Sequence, residues 1–157
     1  MRCLTASPPA TAARCHLIRL PVTFGRNVIV VDASVLAVAL GDDGQDGRRA
    51  RQRLADETLA APELIDLEVI SVFRRHVVGG LMTARRASEA VSDLVDVPLR
   101  RSSHRPLLHR VWQLRQAVTP YDAAYVSLAE ALNIVLVTAD RRLARAHGLK
   151  CEIEVLS

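Results

Sequence analysis

The chain has 157 residues, half of them hydrophobic but only 3% aromatic, enough for one domain whose Val-, Leu-, Ile- and Ala-rich core needs no disulfide or structural metal. Such a core suits a parallel sheet covered by helices, and suits poorly a single-strand-binding surface built from stacked aromatic rings. The net charge of +4 sits in residues 1–27, which carry Arg2, Arg14, Arg19 and Arg26 and no acid; beyond them 17 basic residues balance 17 acidic ones, so attraction for nucleic acid has to come from local clusters.

Residues 1–27 mix Pro, Ala, Ser, Thr and Arg without period and read as a poorly ordered extension, or as a mis-assigned start with translation beginning near Val28. Arg14, His16 and Arg19 interrupt the place where a secretory signal would hold its apolar run. Cys3, Cys15 and Cys151 lack metal-ligand spacing and read as thiols of a reduced, cytoplasmic protein.

From Val28 the pattern changes. VIVVD is a short β-branched run of the kind buried on both faces of a sheet, and ASVLAVAL follows as a helix stopped at Gly41. The two together are too short to span a bilayer and are interrupted by Asp32. After the acidic loop GDDGQDG come a basic helix (RRARQRLA) and a weak strand (TLAAP). Pro62 suits the first position of a long helix to about Val78, ended by Gly79 and Gly80. Thr83 caps a helix to about Leu94, a short strand is expected around Val95–Leu99, and another helix from Ser103 to Gln116. TPYDAAYVSLAEAL reads as helix, IVLVT as a second buried strand, DRRLARAH as a helix closed by Gly148, and CEIEVL as a last strand. Strands alternating with helices predict an α/β/α sandwich with a mainly parallel sheet of four to five strands, residues 28–157 forming one domain.

Asp32 and Asp140 each follow a buried strand. Ligands of parallel α/β sheets bind beyond the carboxyl ends of strands, so neighbouring strands would turn both carboxylates into one crevice. Aspartate is also a favoured N-cap, which explains either residue alone. Asp122, in Thr119–Pro120–Tyr121–Asp122, lies where a capping box places its acid. Glu68 falls inside the long helix, on the face of Leu64, Ile65 and Val72, where a carboxylate is costly unless partnered; Arg75 is the ordinary partner in reach. Asp66 projects about 200° away from Glu68, so the two cannot serve one site, and periodicity alone does not choose between them.

VVDASVL, APELIDLEVISVFRR, TPYDAAYVSLAE and LVTADRRLA resemble, in order and spacing, the four acidic motifs of PIN domains, most nearly those of VapC-type toxins of bacterial toxin–antitoxin pairs. The resemblance covers about residues 28–156; the extension departs from it, since such toxins usually start at the first strand. It implies that Asp32, Glu68, Asp122 and Asp140 ligate a metal and carry catalysis, that Glu68 rather than Asp66 takes part, and that Ser34 and Thr138 support the carboxylates from behind. It implies a first strand beside the fourth, a Mg²⁺-dependent endoribonuclease (Mn²⁺ serving too), and a homodimer neutralised by an antitoxin laid against apolar helices such as ASVLAVAL.

Phosphodiester hydrolysis needs a nucleophile at neutral pH and a counter-charge on the phosphate, both of which a hard cation held by oxygen ligands supplies. Arg74, Arg75, Arg141 and Arg142 are candidates to draw RNA to the rim, although solvated helix faces explain such pairs as well. Tyr121 and Tyr125 could stack on a base, although core packing is the commoner use of such rings; Trp112 is assigned to packing, and no histidine has a partner pattern for acid–base work. The competing functions are a PIN-fold RNA-processing nuclease outside a toxin–antitoxin pair, a PIN fold that only binds, and a phosphoacceptor domain. The last would need a late lysine, and Lys150 is the single candidate.

Overall fold

In the computed structural model, residues 28–156 are described; the expected extension 1–27 lies outside them. Strand β1 (Val28–Val31) is buried at all four positions, as its unbroken β-branched run requires. It pairs in parallel with β2 (Thr58–Pro62) on one side and β4 (Leu136–Thr138) on the other; β3 (Leu99–Ser102) and β5 (Ile153–Val155) extend the two edges. The order is β3-β2-β1-β4-β5. The chain builds outward from β1 to β3, then returns to lay β4 on the other side of β1. That reversal opens a crevice at the carboxyl ends of β1 and β4.

Helices α2 (Gln45–Leu54), α3 (Ile65–Val78) and α4 (Ala84–Asp96) pack around α1 (Ala33–Gly41), while α6 (Pro120–Leu132), with α5 (Leu108–Gln113) against it, lies on β1, β2 and β4. The core runs between these layers through Val30, Val31, Leu36, Val69, Phe73 and Leu136. No helix among the described residues is long and apolar enough to cross a membrane.

Several boundaries differ from the sequence expectation. Pro62 ends β2 instead of opening a helix: it pairs with Ser102 at the strand end, where its missing N–H costs no ladder bond. Helix α3 therefore begins at Ile65, which puts Glu68 in its first turn. The strand expected at Val95–Leu99 is displaced to Leu99–Ser102, because α4 runs on to Asp96 and is stopped before Pro98. The expected helix over Ser103–Gln116 is shorter: it opens as a 3-10 turn, Arg105–Leu107, with Pro106 in its first positions, and continues as the six-residue α5. DRRLARAH makes only a 3-10 turn, Leu143–Arg145, with Ala146 extended after it. Nor is ASVLAVAL open to a partner, as Ala33, Val35, Leu36, Ala37 and Ala39 are buried in the chain's own core.

Candidate active site

Asp32 stands at the N-cap of α1, yet its carboxylate makes no capping bond. It is buried, and its Oδ2 accepts hydrogen bonds from Ser34 Oγ and Thr138 Oγ1, both at 2.6 Å. Thr138 is the last residue of β4, so this carboxylate clamps the ends of two adjacent strands. The same hydroxyls accept in turn from the turn that follows β4: Ala139 N–H donates to Ser34 Oγ at 3.1 Å and Asp140 N–H to Thr138 Oγ1 at 3.0 Å. Asp32 and Asp140 are thereby linked through one threonine. Burial pushes the Asp32 carboxyl above its ordinary range and the charge of Asp122 adds to that, while the two hydroxyls pull the other way without cancelling it.

Glu68 is half-buried and takes its hydrogen bond from Tyr125, whose hydroxyl donates to Oε2 at 2.5 Å. Burial again raises this carboxyl, the charges of Asp32 and Asp122 raise it further, and the tyrosine bond opposes them. Asp32, Glu68 and Asp122 are therefore near enough to repel one another. The alternatives left open by periodicity part company here. Asp66 is engaged by Arg101 Nε and Nη2 at 2.7 and 2.9 Å, a structural pair between α3 and β3, and Arg75 sits exposed at the far end of α3.

Asp122 occupies the first turn of α6. Its N–H donates to Thr119 Oγ1 at 3.2 Å, the expected cap, and its own Oδ2 accepts from that hydroxyl at 2.7 Å. Asp140 folds back on the next turn, accepting from Arg142 N–H at 2.8 Å and meeting its guanidinium at 3.2 and 3.3 Å. Arg142 holds the Asp140 carboxyl below the usual range. Asp122, Asp140, Arg142, Thr119, Arg115 and Gln116 line a cleft of about 480 Å³.

Among the described residues no three acidic, histidine or cysteine side chains are already arranged to hold a metal ion. Each carboxylate is turned to a local donor instead: hydroxyls for Asp32, Glu68 and Asp122, and an arginine for Asp140. The donor set nevertheless fits a hard cation. It is all oxygen, and two of its carboxyls, Asp32 and Glu68, are raised by burial and by neighbouring acids, a cost that a divalent charge would relieve.

The arginine candidates divide. Arg142 lines the cleft and Arg141, beside it, is exposed. Arg74 and Arg75 lie six and seven residues beyond Glu68, about 10 Å along α3, and Arg74 borders a different, apolar groove with Ile70, Phe73 and Val77. Sequence reasoning missed two residues, Tyr125 as a partner of Glu68 and Arg115 as a cleft residue. Tyr125 stands three positions after Asp122, one turn along the same face, which was the available signal. Trp112, assigned to packing, is 68% exposed, because the short α5 presents it outward. Lys150 belongs elsewhere: its N–H donates to Glu130 Oε1, eight residues and about 12 Å along α6 from Asp122.

The PIN domain family model matches residues 29–149. Ribonuclease VapC12 of Mycobacterium tuberculosis is 40% identical over 130 residues, covering 83% of this chain and 100% of that protein. Ribonuclease VapC1 of the same species is 42% identical over 131 residues, covering 81% and 96%. Among solved structures, M. tuberculosis VapC20, a sarcin-ricin loop cleaving toxin, superposes with a TM-score of 0.61 at 15% identity, covering 78% of this chain and 96% of that one. VapBC2 from Rickettsia felis, bound to a DNA fragment from their promoter, gives 0.56 at 14% identity, with 83% and 99% covered. At those identities the superpositions show a shared fold.

Proposed function

The chain belongs to the PIN-domain family, among its VapC-type ribonucleases, and from that premise we propose that it is the toxin of a toxin–antitoxin pair, a divalent-metal-dependent endoribonuclease that hydrolyses RNA phosphodiester bonds in the cytoplasm. What carries this is the mutual repulsion of Asp32, Glu68 and Asp122 at the carboxyl end of β1, with Asp140 joined to Asp32 through Thr138. A nuclease site has a use for negative charge gathered at such cost.

When bound, Mg²⁺ or Mn²⁺ supplies Lewis acidity toward a phosphate oxygen and lowers the pKa of water. In our assignment Asp32 and Asp140 would anchor the ion, and Glu68 and Asp122 would complete its oxygen ligands or orient water. Ser34 and Thr138 fix the Asp32 carboxylate between two strand ends. Arg142 and Arg141 hold RNA phosphates at the mouth of the cleft, and Arg74 and Arg75 meet the backbone farther along. To hold the cation, Asp140 would have to give up its guanidinium contacts with Arg142. Residues 28–157 act as the catalytic domain, in a homodimer neutralised by a cognate antitoxin. Leu67, Ile70, Val78 and Leu81, all exposed along and just after α3, supply apolar surface of the kind protein contacts bury.

The test is cleavage of cellular RNA by the purified chain. Activity is expected with Mg²⁺ or Mn²⁺, is abolished by EDTA, and is absent from a folded Asp32→Asn variant. Expression should arrest growth unless a small protein encoded beside it is co-expressed. Cleavage that persists in EDTA, or in Asp32→Asn, would refute the assignment.

A further inference from the structure

The only tryptophan in the chain stands in solvent. Trp112 projects from α5 with 68% of its surface exposed, an uncommon fate for so large an apolar ring. Arg115 lies over it, guanidinium carbon 4.8 Å from the ring centroid, and donates from Nη1 to the Trp112 carbonyl at 3.0 Å. Between them Leu114 is buried and anchors the turn, with its carbonyl accepting the N–H groups of Ala117 and Val118. The turn ends at Thr119, the residue that caps α6 and holds Asp122. A stacked cation and indole are thus tied by a short hydrogen-bonded segment to one of the four acids.

Arg115 is shared between the two places, lying over the ring and lining the cleft with Asp122, Asp140 and Arg142. We propose that Trp112 and Arg115 form a stacking step at the mouth of this cleft, which seats one unpaired nucleobase of the RNA beside the cleaved bond. This rests on the ribonuclease function proposed above. Residues 28–157 carry no net charge, and in the cleft Asp122 and Asp140 are balanced by Arg115 and Arg142, so substrate affinity needs local contacts at the rim. An indole face accepts any base, and a guanidinium beside it adds both a cation–π contact and a charge for the neighbouring phosphate. Tyr121, also exposed one residue before Asp122, offers a second ring near the same mouth.

Because Trp112 is the sole tryptophan, its fluorescence reports on this position alone. The experiment titrates the full-length Asp32→Asn chain, which leaves RNA whole, with a mixed-sequence single-stranded RNA of roughly twelve nucleotides in Mg²⁺, and follows emission together with anisotropy of labelled RNA. Quenching that tracks binding is expected. In the otherwise native enzyme, Trp112→Ala should raise KM by roughly fivefold or more with kcat nearly kept, and Trp112→Phe, which retains a π face, should restore most of the loss. RNA that binds with unchanged emission, and is cut equally well by Trp112→Ala, overturns the stacking step while leaving the nuclease intact. Emission that responds to protein concentration but not to RNA overturns it too, assigning the ring to a contact between copies of the chain. Wild-type chain that neither binds nor cuts RNA removes the ribonuclease function, and the stacking step with it.

Discussion

Asp32 concentrates the energetics of the site in one side chain. Its folded-state pKa is raised above the ordinary aspartate value of 3.8, chiefly by burial. The folded chain therefore binds that proton more tightly than the unfolded chain does. The associated stability is complete below about 3.8 and is lost as pH rises through the raised folded value. Near neutral pH in EDTA, Asp32→Asn should thus melt higher than the native chain, its amide oxygen still accepting from Ser34 and Thr138, and the advantage should vanish in acid. A variant that melts lower at neutral pH would show that the hydroxyl bonds outweigh the burial cost. Tyr125 acts on the neighbouring acid. Tyr125→Phe keeps the buried ring and deletes the donor to Glu68, and a bond to a charged group of this kind is worth about 1.5–3 kcal/mol. Cleavage should fall by roughly tenfold or more with KM little changed; an unchanged kcat would mean Glu68 needs no orienting. This pair is 57 residues apart; its one trace in the sequence was the place of Tyr125 a turn after Asp122, while Glu68 itself had only Arg75 as a local partner. Ser34 and Thr138, by contrast, were pointed to by the family resemblance, and no local pattern singled them out.

At the level of elements, what the sequence made plain was whatever local chemistry decides. TLAAP, VIVV and the Thr83 and Thr119 caps stand where the residues put them. What it obscured was set by neighbours: β3 starts at Leu99 because Leu99 pairs with Leu59, and no pattern within 95–102 encodes that register. The segment after Asp140 opens with a bond from the Arg142 N–H to that aspartate, as a capped helix would, yet it makes one 3-10 turn and runs extended from Ala146. The acidic loop 41–47 is likewise structural. Asp42 accepts from Gly44 and Gly47 N–H at 2.7 and 2.8 Å, and Asp43 accepts from Arg86 at 2.9 and 3.0 Å. A Cβ on Gly47 would come within 1.8 Å of the Asp42 carbonyl oxygen. Helix propensity alone would have Gly47→Ala stabilise α2 by about 1 kcal/mol. The close approach reverses that sign, and thermal melting should show Gly47→Ala below the native chain. A higher melting temperature would mean the loop yields freely.

For the whole molecule, strand order decides where chemistry happens. Four segments spread from residue 32 to residue 140 meet because β4 returns to the side of β1 opposite β2. The parallel α/β architecture and the two strand-end aspartates were visible in the sequence. The adjacency of β1 and β4 came from resemblance, since no residue within either strand names its neighbour. The same topology keeps Lys150 near the far end of α6, which removes the lysine a phosphoacceptor domain would require. Charge gathered in this way ought to bind cation as one unit. Calorimetric titration of the purified full-length chain with Mn²⁺ measures that, beside Asp32→Asn, Glu68→Gln, Asp122→Asn and Asp140→Asn. Each single neutralisation is expected to weaken binding by roughly tenfold or more, as loss of one charged oxygen ligand should, with the fold intact. Equal affinity for Mn²⁺ in the native chain and in a folded variant with all four neutralised would contradict a shared metal site.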